Sequence, residues 1–253
     1  MRIAVAGGTG MVGRYVTMAA EQRGHQVVVI SRARGVDLRT GKGLDGALEG
    51  VEVIIDVTNV VTTNKKRATA FFTEVAGRLA TVGADRGVHH VVTLSIVGLE
   101  RTAGYGYYQA KLCHEQAALA GPVPATVLRA TQFHEFASQI LARTRRGPLA
   151  CTPTMWVQPV AARTVGVTLI DLAVSEPVGM AGELAGPEPA ALVSLARALL
   201  RQRGERVAVL SLPLPGAAGK AMRNGALLPG PGARLEGPTF EQWLTAPDAV
   251  SST

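Results

Sequence analysis

An α/β fold is what this sequence predicts: a doubly wound parallel sheet with a smaller C-terminal region. Three observations carry that expectation. Short β-branched runs alternate with helix-length segments through the first half of the chain. A glycine cluster, "GGTGMVG" at residues 7–13, stands between the first such run and the first helical pattern. Beyond residue 150 proline and glycine become frequent, as at Pro153, Pro159, Pro177, Pro187 and Pro189. Strands separated by helices pair in parallel, and the helices then cover both faces of the sheet.

The elements follow in order. "RIAVA" (2–6) is apolar enough after Arg2 to read as a buried strand. "MVGRYVTMAAEQR" (11–23) has a helical period and stops at Gly24, a usual C-terminal glycine. "QVVVI" (26–30) and "VEVIIDV" (51–57) are the second and third strands. Residues 65–86 form a helix with Phe72, Val75, Ala76, Leu79 and Val82 on one stripe. "HHVVTLS" (89–95), a helix over 107–120 and the strand "ATVLRA" (125–130) complete the repeating pattern. In the second half, helices are predicted over 162–175 and 189–204, and strands over 179–186 and 206–213. A short helix over 239–247 starts from Thr239 as N-cap, and the last six residues are expected to fray.

Composition narrows the function classes. The 253 residues are 47% hydrophobic, enough for one substantial core. No run of about 18 apolar residues is present, so no spanning helix and no membrane partner are expected. The N-terminus lacks the pattern of a signal peptide, and a cytoplasmic protein is expected. Cys113 and Cys151 make neither a disulfide framework nor a metal set. The net charge of +7 is scattered, with small groups at Lys65, Lys66, Arg67 and at Arg143, Arg145, Arg146. With 4% aromatic residues and no zinc-finger or RNA-binding pattern, nucleic acid is not the expected partner. His89 and His90 are expected to be partly exposed, and His114 to lie on a helix surface.

The glycine cluster has a chemical reading. Gly7 makes the turn off the strand, Gly10 lets backbone approach a diphosphate, and Gly13 lets the helix pack on the sheet. The diphosphate sits on the helix N-terminus, where free N–H groups and the dipole favour anions. In this Rossmann-type frame Gly7, Thr9, Gly10, Met11, Val12 and Gly13 are read as cofactor contacts. An NAD site usually carries an acidic residue at the end of the second strand. This chain has "SRAR" there, so Ser31 and Arg32 are read as holding a 2′-phosphate, with Arg34 and Arg14 as helpers. The expected cofactor is NADP(H), with Asp37 and Leu38 against the adenine. Residues 1–150 form the expected cofactor domain and 151–253 a smaller substrate-binding region.

A second constellation is Tyr107-x-x-x-Lys111, at the start of a helix. Residues four apart share a helix face, and a lysine ammonium near a phenol favours the phenolate. That suits a tyrosine acid protonating a carbonyl oxygen. Ser95 lies 12 residues before Tyr107 at the C-terminal end of the fourth strand, where ligands of open α/β sheets bind. Its hydroxyl is read as holding the substrate oxygen. Tyr108, three residues from Lys111, is the alternative acid.

The blocks "GGTGMVG", "SRARGVDL", "DVTN", "LSIVG", "YYQAK" and "LRATQFHEF", in that order over residues 1–137, resemble an atypical short-chain dehydrogenase/reductase of the NmrA-like NAD(P)-binding group. "WVQPVAARTVG" and "ELAGPE" extend the likeness. The resemblance implies that Thr58 and Asn59 line the cofactor path. It implies that Phe133, His134 and Phe136 face the nicotinamide end, and that Gln158 and Pro159 close the pocket. Trp156 is either core or pocket lining. The implied activity is NADPH-dependent reduction of a carbonyl or quinone on a small, largely apolar, possibly aromatic molecule. The alternatives are an NADP(H)-sensing regulator without turnover and a redox-neutral isomerisation, epimerisation or rearrangement.

Overall fold

The structure, a computed structural model, describes residues 1–62, 64–102 and 104–246. The expected fraying of the last six residues lies outside that range. The chain runs through β1 (Arg2–Ala6), α1 (Met11–Gln22), β2 (Gln26–Ile30), α2 (Leu44–Ala47), β3 (Val53–Asp56), α3 (Lys65–Asp85), β4 (His90–Ile96), α4 (Gly106–Leu119) and β5 (Ala125–Ala130). It continues through α5 (Phe136–Thr144), β6 (Leu149–Pro153), β7 (Trp156–Val157), α6 (Ala162–Ala173), β8 (Gly179–Ala185), β9 (Ala190–Ala191) and α7 (Leu192–Gln202). The last elements are β10 (Ala208–Leu212), α8 (Gly216–Arg223), β11 (Arg234–Leu235) and α9 (Phe240–Thr245).

Seven strands form the main sheet in the order β2-β1-β3-β4-β5-β8-β11. β1 pairs in parallel with both β2 and β3, so Ala4 lies between Val28 and Ile54. β3 pairs in parallel with β4, with Ile55 opposite Val92. The chain first adds β2 on one side of β1, then β3 on the other. In open sheets of this kind ligands bind beyond the C-terminal strand ends at such a reversal, here between β1 and β3.

The chain divides into two compact units, each discontinuous in sequence. The first comprises residues 1–96, 106–129 and 163–182; the second comprises 97–105, 130–162 and the chain from 183 on. The single boundary expected at residue 150 is therefore not where the packing divides. Two excursions into the second unit begin where β4 and β5 end, because connections of a parallel sheet leave at strand C-termini.

In the first unit, Ile3, Val5, Ile30, Ile54, Ile55 and Val92 are shielded from solvent. α3 lays Phe72, Val75, Ala76 and Leu79 inward, with Val82 half-buried at the edge of the stripe. In the second unit, β6 and β10 form a parallel pair and β7 and β9 an antiparallel one. α7 buries Leu192, Leu195, Ala196, Leu199 and Leu200, a 3.6-period stripe that the sequence shows plainly. Thr239 caps α9 by accepting from the Gln242 N–H, and Gln242 returns the bond to the Thr239 N–H.

Candidate nucleotide-binding and catalytic site

The glycine turn begins where β1 ends. Gly7 has φ +81°, a left-handed backbone that favours glycine. Its N–H donates to the Ile30 carbonyl at 3.0 Å, and Gly10 N–H donates back to the Gly7 carbonyl at 2.9 Å. A Cβ on Gly13 would fall on the Gly7 carbonyl oxygen and 2.6 Å from the Gly8 Cα. α1 therefore starts directly against the turn. Gly10 is its N-cap, no side chain caps that end, and no acidic residue lies in the first turn. Thr9 and Gly10 are exposed, Met11 is half-buried, and Val12 and Gly13 are buried. A positive helix end reached only through glycine backbone fits a diphosphate, with Val12 offering backbone alone.

Ser31 follows β2 directly, and its hydroxyl is shielded without a hydrogen-bond partner. Arg32 and Arg34 are exposed in the next turn. A hydroxyl donor beside two planar guanidiniums suits a phosphate monoester. Asp37 and Leu38 differ from expectation. Leu38 is buried in the core with Ile30, Val36 and Leu44, and Asp37 accepts from the Arg39 N–H at 2.8 Å. Arg78 of α3 donates to the Leu38 and Arg39 carbonyls, tying this segment down. Apolar burial has claimed the leucine that was expected to meet the adenine.

Three charged or titratable side chains meet behind the end of β3. Lys111 of α4 is 4% exposed, and its Nζ donates to the Leu94 carbonyl at 2.8 Å. It also lies 2.7 Å from His114 Nδ1. His114 Nε2 lies 2.9 Å from Asp56 Oδ2. An ammonium can only donate and a carboxylate only accept, so the imidazole carries its proton on Nε2 and accepts at Nδ1. Asp56 Oδ1 accepts from the Thr58 N–H at 2.8 Å. The Phe72 ring stacks on His114 at 4.9 Å and lies 4.8 Å from the ammonium.

His114 is thus 0% exposed, a correction to its expected place on the helix surface. A histidine gives no hydrophobic period; Asp56, Lys111 and the Phe72 ring partner it inside. His90 is also buried, with Nε2 2.8 Å from Thr126 Oγ1, while His89 is exposed as expected.

The charges of this group follow from burial and partners. Burial pulls the Lys111 ammonium down to about 8, against the upward pull of Asp56 and Glu115. Burial, then the nearby ammonium, lowers His114, which is neutral at pH 7. Burial alone raises the Asp56 carboxyl, but His114 and the Thr58 bonds outweigh it and hold Asp56 below its ordinary value. Next to this group Glu115 and Arg129 form a two-pronged ion pair, with bonds of 2.9 and 2.6 Å.

The remaining predicted residues of this unit divide by direction. Tyr107 donates its hydroxyl to Asn59 Oδ1 at 2.7 Å and packs edge-on against Phe72. The Lys111 bonds described above run inward, to β4 and His114, while the Tyr107 hydroxyl is held by the loop after β3. Thr58 is buried beside Asp56, to which its N–H donates. Ser95, near the end of β4, is 3% exposed, and its hydroxyl has no partner. Sequence spacing brought Tyr107, Lys111 and Ser95 forward; Asp56 and His114 were missed. The "DVTN" block quoted for the resemblance contains Asp56, and that was the only signal available.

The second unit holds the five predicted substrate residues. His134 is 1% exposed, packed against Phe240 and Trp243, and lies 3.1 Å from the Pro238 carbonyl through Nε2. Burial pushes this imidazole down to about 4. It packs in the core of this unit, with Nδ1 shielded and without a partner. Gln158 is buried, and its amide nitrogen donates to the Gly186 carbonyl at 2.8 Å. Phe133 and Phe136 are half-buried, Phe133 bridging to Val160. Trp156 is 47% exposed on β7, so it is not core.

The model of the NAD-dependent epimerase/dehydratase family matches residues 3–99, from β1 through β4. No curated protein matches the chain. Among solved structures, a short-chain dehydrogenase/reductase superfamily protein from Agrobacterium tumefaciens with bound NAD is 18% identical, with 100% of this chain and 97% of that one covered and a TM-score of 0.70. A dTDP-4-dehydrorhamnose reductase from Clostridium acetobutylicum is 12% identical, with 99% and 100% covered and a TM-score of 0.74. The triphenylmethane reductase of a Citrobacter species, complexed with NADP(H), is 16% identical, with 91% and 92% covered and a TM-score of 0.63. The resemblance to atypical short-chain dehydrogenases/reductases is supported at the level of fold, and neighbours of that fold bind either NAD or NADP(H).

Proposed function

We propose that the protein is an NADPH-dependent reductase of a carbonyl or quinone on a small, largely apolar substrate. One observation carries the reading. The Ser95 hydroxyl is buried without a partner, one residue beyond the carbonyl that anchors Lys111. A buried, unpaired hydroxyl is costly in a core and useful in a site.

Gly7, Thr9, Gly10, Met11, Val12 and Gly13 would hold the diphosphate, and Ser31 and Arg32 the 2′-phosphate. Thr58 and Asn59 would line the path to the nicotinamide. The bound nicotinamide would supply a hydride. Ser95 donates a hydrogen bond to the substrate oxygen. Tyr107, kept in place by Asn59, gives that oxygen its proton. Lys111 supplies a fixed positive charge that favours the phenolate form of the acid.

The test is loss of reduced-nicotinamide absorbance over a panel of quinones and ketones. Tyr107→Phe is expected to lower turnover by about 10²–10⁴-fold with NADPH affinity nearly unchanged. If Tyr108→Phe gives that loss instead, the other tyrosine is the acid. If neither change lowers turnover more than about threefold, the tyrosine acid is refuted. A redox-neutral reaction is the second reading, favoured by the family model that matches β1 through β4. It requires product to form with no net change in nicotinamide absorbance. Tight NADPH binding with no turnover of either kind would overturn both readings in favour of a nucleotide sensor.

A further inference from the structure

We propose that Asp56 and His114 are positioning residues for Lys111: the carboxylate fixes the imidazole in one tautomer, and the imidazole with the Leu94 carbonyl fixes the direction and charge of the ammonium. This rests on the reading of Lys111 as part of the reaction site.

The geometry requires three elements at once. β3 supplies Asp56, α4 supplies His114 and Lys111, and β4 supplies the Leu94 carbonyl. The imidazole bridges the two, at 2.9 Å from the carboxylate and 2.7 Å from the ammonium. His114 and Lys111 are three residues apart on α4, a spacing that puts both on one helix face. The second Asp56 oxygen is taken by the Thr58 N–H, so the carboxylate cannot rotate without losing a bond. Phe72 closes the group from α3, stacking on the imidazole and facing the ammonium.

A purely structural ion pair has no need of a relay. The neighbouring Glu115–Arg129 pair, from α4 and β5, bonds directly. The charged and titratable groups facing Lys111 are Asp56 from β3, His114 and Glu115 from α4, and Arg129 from β5 through Glu115. Tyr107 lies one turn earlier on α4. Among these, His114 is the group whose protonation state the network itself sets. An imidazole held as an acceptor favours the charged amine at close range, while Asp56 adds a negative field that burial leaves unscreened.

The experiment is a side-chain titration that needs no substrate. The chain has five lysines, so carbon-13 labelling at lysine Cε gives a simple spectrum, with Lys111→Arg identifying its signal. Lys111 is expected to titrate near 8, apart from the other four. In Asp56→Asn and in His114→Phe its midpoint should fall by about one pH unit or more, a tenfold loss of proton affinity. His114→Asn, whose side-chain oxygen can replace Nδ1 as acceptor, should restore most of that loss. In the unaltered protein, nitrogen-15 shifts should show His114 protonated on Nε2 and bare on Nδ1, a readout that needs no variant to fold. A protonated Nδ1, or a Lys111 midpoint unmoved by both substitutions, overturns the inference. Failure of the underlying reading looks different. Lys111→Met would then leave NADPH affinity and turnover unchanged, while the coupling of Lys111 to Asp56 persisted.

Discussion

Arg32 stands exposed one position beyond the unpartnered Ser31 hydroxyl, and its value depends on a phosphate being there. A charge-assisted bond is worth about 1.5–3 kcal/mol, so NADPH should bind roughly 10- to 150-fold tighter than NADH. Arg32→Asp should erase or reverse that preference, because a carboxylate repels the phosphate and accepts from ribose hydroxyls. Calorimetric titration of both nucleotides checks it, and equal affinities in the unaltered protein would end the NADP assignment. The expectation for Ser31 and Arg32 rests on their position after a strand, which a sequence can show by itself. His114 was not legible, because nothing local distinguishes a buried histidine from a surface one.

At the scale of elements, α4 shows why patterning misses a buried polar face. Its buried residues are Ala110, Lys111, His114, Glu115 and Ala118, so the inward stripe is largely polar. The rule that apolar residues face inward has nothing to read there, and the stripe is stable only because β3, β4 and β5 supply partners. α9 is the opposite case. Thr239 and Gln242 announce its start, and Phe240 and Trp243 close over His134. That packing has a pH consequence. The folded His134 value of about 4 lies below the ordinary histidine value of 6.5. A base depressed on folding contributes fully above 6.5, and the contribution is lost as pH falls from 6.5 towards 4. About two to three pKa units correspond to about 3 kcal/mol. His134→Leu removes this titration, so its thermal midpoint should fall less than the unaltered protein's between those pH values. Parallel curves would show that the ring is already charged in the fold.

For the molecule as a whole, stability would report the nucleotide binding proposed for the glycine turn. A ligand at about 100 times its Kd adds about 2.7 kcal/mol, which for a chain of this size raises Tm by about 5–10 °C. NADPH should give such a shift in the unaltered protein. Gly13→Ala should abolish it, since its Cβ would collide with the Gly7 carbonyl that shapes the turn. A full shift in Gly13→Ala would place the nucleotide elsewhere. The net charge of +7 should also make association with the anionic nucleotide slow as salt is added.

The sequence by itself determined the alternation of strands and helices, the glycine turn and the serine–arginine end of β2. Each is a local event, governed by periodicity, backbone freedom or position in one βα unit. It did not show α2, α5, β6, α8 or the two-residue strands β7, β9 and β11, and those three strands have too few residues for a period. Tertiary structure alone decided that Leu38 is core, that His134 packs under α9, and that 97–105 and 130–162 leave the first unit. It also decided the Asp56–His114–Lys111 line. Those residues are up to 58 positions apart, and the cost of burying each is met only by the others.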